Sequence, residues 1–230
     1  MTPRICASIL PKTNLEALNL IEKAEKAKAD FIEVRLDCLD ISRKLSDLSA
    51  STKIPLIATN KLQSEKGFFL GTETERKQTL LNTAKSGFAY VDVDLSSPKH
   101  KETITQLKQL GSKPIVSYHK YDGALNVSTM EKILDEEIAS GASICKIVTT
   151  AKQIEDNLPA LSFVSFASHK TKLVCFCMGE HGRISRVLSP LFGAFFTFAS
   201  LEQGSETAGG QMSIEEMRDA YRFFGVKQDE

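Results

Sequence analysis

What this sequence lacks narrows it before any motif is read. It lacks net charge: 29 basic residues balance 29 acidic ones over 230 positions, so no global field draws in nucleic acid or an anionic membrane, and affinity for anions has to be local. It lacks an apolar run of membrane-spanning length, and the opening MTPRICASIL has no long apolar stretch of a signal peptide, which points to a soluble cytoplasmic protein. It lacks a Cys-x-x-Cys pair and any His–Cys grouping with zinc spacing. Cys6, Cys38, Cys145, Cys175 and Cys177 are odd in number and mostly embedded in apolar runs such as KLVCFC, which suits reduced thiols packed in a core and no metal. Nor does a linker or low-complexity tract divide the chain, so residues 1–230 are expected to form one domain.

What is present is alternation. Short β-rich runs (ICASIL 5–10, FIEVRL 31–36, IPLIAT 54–59, AYVDVDL 89–95, PIVSYH 114–119, ASICKIV 142–148, KLVCFCM 172–178 and GAFFTFA 193–199) take turns with amphipathic stretches at 14–29, 72–87, 97–111 and 128–141. Strands that alternate with helices form parallel sheets, because parallel neighbours need a crossover. The strands read as nearly continuous apolar runs, as expected when both faces are covered. Eight such units predict a closed (β/α)8 barrel, with an open doubly wound sheet as the alternative; no GxGxxG follows the first strand, which disfavours that alternative.

In such a barrel functional side chains gather at the carboxyl ends of the strands. Polar residues there are Glu33, Arg35 and Asp37 on strand two, Asn60, Lys61 and Glu65 after strand three, and Asp92 and Asp94 on strand four. His119, Lys146 and Met178 follow on strands five to seven. Each has a plain structural reading: Glu33 and Arg35 as an ordinary ion pair, His119 as a satisfied histidine at a strand end. Lys146 resists one, because burying an ammonium costs several kcal/mol unless it is paired or deprotonated. A lysine desolvated beside other cations loses its proton near neutrality and attacks ketones to form an imine; Arg35, Lys61 and Arg186 are the expected cationic neighbours. After strand eight, Gly209 and Gly210 precede Ser213, which with Glu216 forms a capping box. That loop is readable either as a plain connection or as an anion site with Arg186 as second donor.

The segments EVRLD (33–37), SYHKY (117–121), CKIV (145–148), MGEHGRISR (178–186) and TAGGQMS (207–213) together resemble type I 3-dehydroquinate dehydratase, in that family's order. The resemblance implies a (β/α)8 barrel that dehydrates 3-dehydroquinate to 3-dehydroshikimate in the shikimate pathway, as a homodimer and without metal or organic cofactor. It implies Lys146 as the imine-forming lysine, His119 as general acid/base and Glu65 as the carboxylate that orients the histidine. Glu33, Arg35 and Lys61 would hold substrate hydroxyls, Arg186, Thr207 and Gln211 the substrate carboxylate, and Met178 would pack against the ring. Where the family carries TxRxxxEGG this chain reads TNKLQSEKG, so Lys61 replaces an arginine and Lys66 a glycine; TAGGQ likewise lacks the proline of the family's SAPGQ-like segment. The exchange of a planar fork for a point charge predicts weaker substrate binding with the chemistry retained. A class I aldolase on a sugar phosphate and a non-catalytic carboxylate-binding barrel remain open, as does fusion to shikimate dehydrogenase.

Overall fold

Every strand shows the same division of labour between its two faces. On β1 (Ile5–Ile9), β2 (Phe31–Arg35), β3 (Leu56–Thr59) and β4 (Tyr90–Asp94), alternate residues turn outward to the helices or inward to the barrel axis. The pattern continues through β5 (Lys113–His119), β6 (Ile144–Thr150), β7 (Leu173–Met178) and β8 (Thr197–Ala199). A period of two sets this alternation. This computed structural model describes residues 2–40 and 44–226. All strand pairs are parallel, in the order β7-β6-β5-β4-β3-β2-β1-β8. The Phe195 amide donates to the Leu173 carbonyl across the remaining gap, so the (β/α)8 barrel is nearly closed.

Among the described residues eight helices wrap the sheet: α1 (Asn14–Lys26), α2 (Ser46–Ala50), α3 (Glu73–Lys85), α4 (His100–Gln109), α5 (Val127–Ala139), α6 (Asn157–Ala167), α7 (Arg183–Leu188) and α8 (Ile214–Phe223). The amphipathic stretches foreseen in the sequence are α1, α3, α4 and α5. Side-chain caps start several of them, Thr13 on α1, Thr72 on α3 and Asn126 on α5, each oxygen satisfying an amide that has no partner inside the helix. The capping box expected at Ser213 opens α8, with Glu216 as its second half.

Two differences from expectation have physical causes. The eighth strand is only three residues long, where seven were expected: Gly193, at φ 111°, ends a 3-10 turn, and Phe195 and Phe196 enter the aromatic cluster with Phe31 at the amino end of the barrel. Helix α6 lies outside the four amphipathic stretches; Ala160, Leu161, Phe163, Val164 and Ala167 are buried while Leu158 and Phe166 are exposed, so its apolar residues run round the helix instead of forming a stripe.

Inside the barrel, the amino half is filled by Phe31, Ile57, Tyr90, Ile115, Ile144, Phe196 and Phe198. Above them, one strand turn nearer the carboxyl ends, the inward positions become Ser8, Glu33, Thr59, Asp92, Ser117 and Lys146, all buried. The apolar layer seals one end, and the polar layer forms the floor of a cavity at the other.

Candidate active site

Lys146 stands at the centre of that floor, 4% exposed. Its Nζ donates to Asp92 Oδ2 at 2.9 Å, lies 3.9 Å from Glu33 Oε1 and sits 4.5 Å over the Phe198 ring. The expected cationic neighbourhood is therefore corrected: two carboxylates are the nearest charges. Burial alone would push the ammonium toward losing its proton, but Asp92 and Glu33 carry its pKa above the ordinary lysine value. Asp92, although buried, is held well below the usual carboxylate range by Lys146, Lys61 and His119. In the ligand-free chain the lysine is thus an ammonium within an ion pair, and neutral amine has to be generated on demand.

The carboxylates are themselves fixed by hydroxyls. Ser117 donates to Asp92 Oδ1 at 2.6 Å, and Thr59 donates to Glu33 Oε1 at 2.8 Å. Ser8 donates to Glu33 Oε2 at 2.5 Å and accepts from Thr207 Oγ1 at 2.8 Å, so a chain of hydroxyls joins the loop before α8 to the lysine's counter-ion. Glu33 does not pair with Arg35; Arg35 instead gives Asp37 two bonds, from Nε at 2.8 Å and from an Nη at 2.6 Å.

His119 closes one side of the cavity. Burial first, and the Lys61 charge second, push its pKa down to about 4, so the ring is neutral near pH 7. Its Nδ1 is 3.5 Å from Lys61 Nζ and 3.7 Å from Asp94 Oδ2, and Tyr121 stacks on the ring at 5.9 Å. Glu65, expected to orient the ring, turns its carboxylate to the Leu62 amide at 3.0 Å, and Glu65 and His119 share no hydrogen bond or ion pair among the described residues. It does line the cavity, and its backbone carbonyl accepts from Tyr121 Oη.

Opposite lies Arg186, 1% exposed, its guanidinium 4.4 Å over the Phe176 ring. One Nη reaches the Phe198 carbonyl at 3.4 Å; Nε and the other Nη have no partner. Burial pushes its pKa down to about 10. Thr207 and Gln211 bond to one another beside it, the Thr207 amide to Gln211 Oε1 at 2.7 Å. Their loop is seated by glycine: Gly179 N–H donates to the Gly209 carbonyl, and a Cβ on Gly210, at φ 72°, would lie 2.1 Å from the Gly179 carbonyl oxygen. The first turn of α8 is already capped by Ser213 and Glu216, so the anion donors here are side chains rather than that helix terminus.

All ten residues given a role by the family resemblance line one cavity of about 290 Å³: Glu33, Arg35, Lys61, Glu65, His119, Lys146, Met178, Arg186, Thr207 and Gln211. Asp92 and Asp94 stood among the polar strand-end residues without a role, and Ser8 was not picked out. The YVDVD alternation carried the signal for the aspartates, two carboxylates on one inward face, whereas nothing distinguishes Ser8 in ICASIL from a packed core serine. On the outer face of the same strand β6, behind Lys146, Cys145 faces Glu137 of α5. Glu137 is fully buried, neither of its carboxylate oxygens has a hydrogen-bond partner, and burial raises its pKa well above the ordinary value.

Fold and site together define a class: parallel (β/α)8 barrels whose polar end is organised around a lysine, a neutral histidine and an unmatched arginine. The family model for Type I 3-dehydroquinase matches residues 5–228. A 3-dehydroquinate dehydratase of Dehalococcoides mccartyi is 34% identical over 220 residues, which is 96% of this chain and 95% of that protein. The bifunctional 3-dehydroquinate dehydratase/shikimate dehydrogenase of Arabidopsis thaliana is 31% identical over 98% of this chain and 38% of its own length. Among solved structures, 3-dehydroquinate dehydratase from Geobacillus kaustophilus superposes with a TM-score of 0.90 at 24% identity, over 98% of this chain and 92% of that one. The chain belongs to the type I 3-dehydroquinase family.

Proposed function

We propose that the protein dehydrates 3-dehydroquinate to 3-dehydroshikimate, a step of the shikimate pathway, through an imine on Lys146. The observation that carries this reading is the pairing, across one 290 Å³ cavity, of a buried lysine with an arginine whose guanidinium has two unpartnered nitrogens. A substrate carboxylate accepting from Arg186, with Thr207 and Gln211 beside it, would satisfy that guanidinium and set the ketone over Lys146.

The steps then follow from the residues. Lys146 passes a proton to neutral His119 in the same cavity, and Nζ attacks the C3 carbonyl; His119 hands that proton to the departing oxygen, which leaves as water, so that a protonated imine and a neutral imidazole remain. The iminium draws electrons from the C2–H bond, and neutral His119 takes that proton to give the enamine. The imidazolium, disfavoured by burial and by Lys61, returns the proton to the C1 hydroxyl, which departs as water. Hydrolysis of the imine consumes one water and frees Lys146, so the net change is loss of one water. Glu33, Arg35 and Lys61 would hold the substrate's hydroxyls, and Met178 would pack against its ring. We take residues 1–230 as one dehydratase domain, acting in the cytoplasm as a homodimer.

Incubation with 3-dehydroquinate and borohydride, followed by peptide mapping, tests the reading, because reduction traps an imine. A substrate-dependent adduct on Lys146 is expected. Folded protein that gives no adduct on that peptide would remove the imine mechanism and bring forward the carboxylate-binding alternative.

A further inference from the structure

The turn after β3 ends on a residue that its backbone does not suit. Lys66 adopts φ 57° and ψ 30°, the left-handed region that glycine enters freely and other residues enter only against steric repulsion at Cβ. The turn is seated from several sides. The Lys66 amide donates to the Gln63 carbonyl at 3.0 Å and the Gly67 amide to the Leu62 carbonyl at 2.8 Å. Tyr121 Oη donates to the Glu65 carbonyl at 2.7 Å, and the Phe68 amide to Asp37 Oδ2 at 3.0 Å. A firmly held turn therefore carries a lysine where glycine would serve the fold better, which is the kind of strain that persists at functional positions.

The side chain reaches the cavity. Lys66 lines it together with Lys61 and Tyr121, and its Nζ lies 4.8 Å over the half-buried Tyr121 ring. Lys146 and Arg35, which line the same space, are matched by Asp92 and Asp37, whereas Lys66 has no ion pair among the described residues. An aromatic face in contact with water is a weak partner, which an ammonium leaves readily for an oxygen acceptor. Tyr121 stacks on His119, so Lys66 belongs to the His119 side, across from Arg186. A ring whose carboxylate is gripped by Arg186 turns its remote hydroxyls toward this side.

We propose that Lys66 is a specificity-determining residue at the cavity mouth: on binding, its ammonium moves from the Tyr121 face to donate to a ring hydroxyl remote from the substrate carboxylate. With Lys61 it completes the cationic donors on that side of the cavity. The inference rests on the dehydratase reading and extends it to selection by hydroxyl pattern.

The test uses two carboxylates that carry no ketone, so binding is read without imine formation: quinate, whose ring bears hydroxyls, and cyclohexanecarboxylate, whose ring bears none. Dissociation constants come from NMR titration of the whole chain. Wild type should bind quinate more tightly. Lys66→Met should weaken quinate by about tenfold and leave cyclohexanecarboxylate unchanged. Lys66→Gly should change the ligands in the same way yet unfold at an equal or higher denaturant concentration, because the left-handed strain is relieved. With 3-dehydroquinate, both variants should raise KM by about the same factor and leave kcat nearly unchanged. Equal weakening of both carboxylates, abolished by added salt, would reduce Lys66 to a general attraction for anions and overturn the assignment. So would unchanged quinate binding in both variants, or a wild type that binds the two probes equally. Absence of turnover would count against the dehydratase reading, while the contrast between the two probes would still decide this one.

Discussion

Two buried arginines face the same cavity under opposite terms. Arg35, 7% exposed, donates two bonds to Asp37, and although burial alone lowers its pKa, the carboxylate raises it above the ordinary value. Arg186, more deeply buried, keeps two nitrogens without partners and its pKa is pushed down to about 10. A matched guanidinium is spent on the fold. An unmatched one carries a desolvation cost that the proposed substrate carboxylate would offset.

That contrast can be broken from either side. The largest effect should come from Arg35→Met, which strands Asp37 as an uncompensated buried charge: a loss of about 3–5 kcal/mol in stability, read by denaturant unfolding. Arg186→Met should do the reverse, raising KM by about 10²-fold through loss of a charge-assisted pair worth about 1.5–3 kcal/mol while leaving the unfolding midpoint unchanged or higher. If both variants destabilise equally, the distinction between them fails. Glu137 extends the contrast to an acid. Its folded pKa is raised, so between the unfolded value and that raised value the folded chain holds the extra proton and stability falls as pH rises. Glu137→Gln should therefore be more stable than wild type at pH 8, with the gap shrinking toward pH 4.5; a gap independent of pH would show Glu137 ionised in the fold. The smallest effect belongs to Lys61→Arg. Restoring a planar fork should lower KM by about fivefold, roughly 1 kcal/mol, and an unchanged KM would mean that the point charge already serves the substrate as well.

Much of this site was legible because buried polarity is conspicuous in strand runs. Lys146 in SICKIVTT and Glu33 and Arg35 in FIEVRL stood out against their aliphatic neighbours, and the parallel barrel followed from eight such runs. What stayed illegible depends on who meets whom across strands. From the sequence, Lys146 looked surrounded by Arg35, Lys61 and Arg186; the register that sets Ser117 beside both Asp94 and Lys146 instead brings Asp92 to its Nζ. Glu65 does line the cavity with His119, but the bond from the Leu62 amide to one of its oxygens depends on the turn Gln63–Glu65, which spacing alone does not reveal. Helix α6 escaped because its exposed face carries Leu158 and Phe166, and α2 and α7 because five or six residues give too little period to read.

The hydroxyl chain from Thr207 through Ser8 to Glu33 joins residues 199 positions apart, and β1 takes β8 as its neighbour through Ile5 and Thr197. During translation one edge of the first strand stays open until the eighth strand emerges. Until Thr207 is added, Ser8 lacks the hydroxyl that donates to it, and no shorter nascent chain holds the complete pocket. A chain ended before the eighth strand would leave β1 with an unpaired edge, the feature that makes open sheets prone to associate.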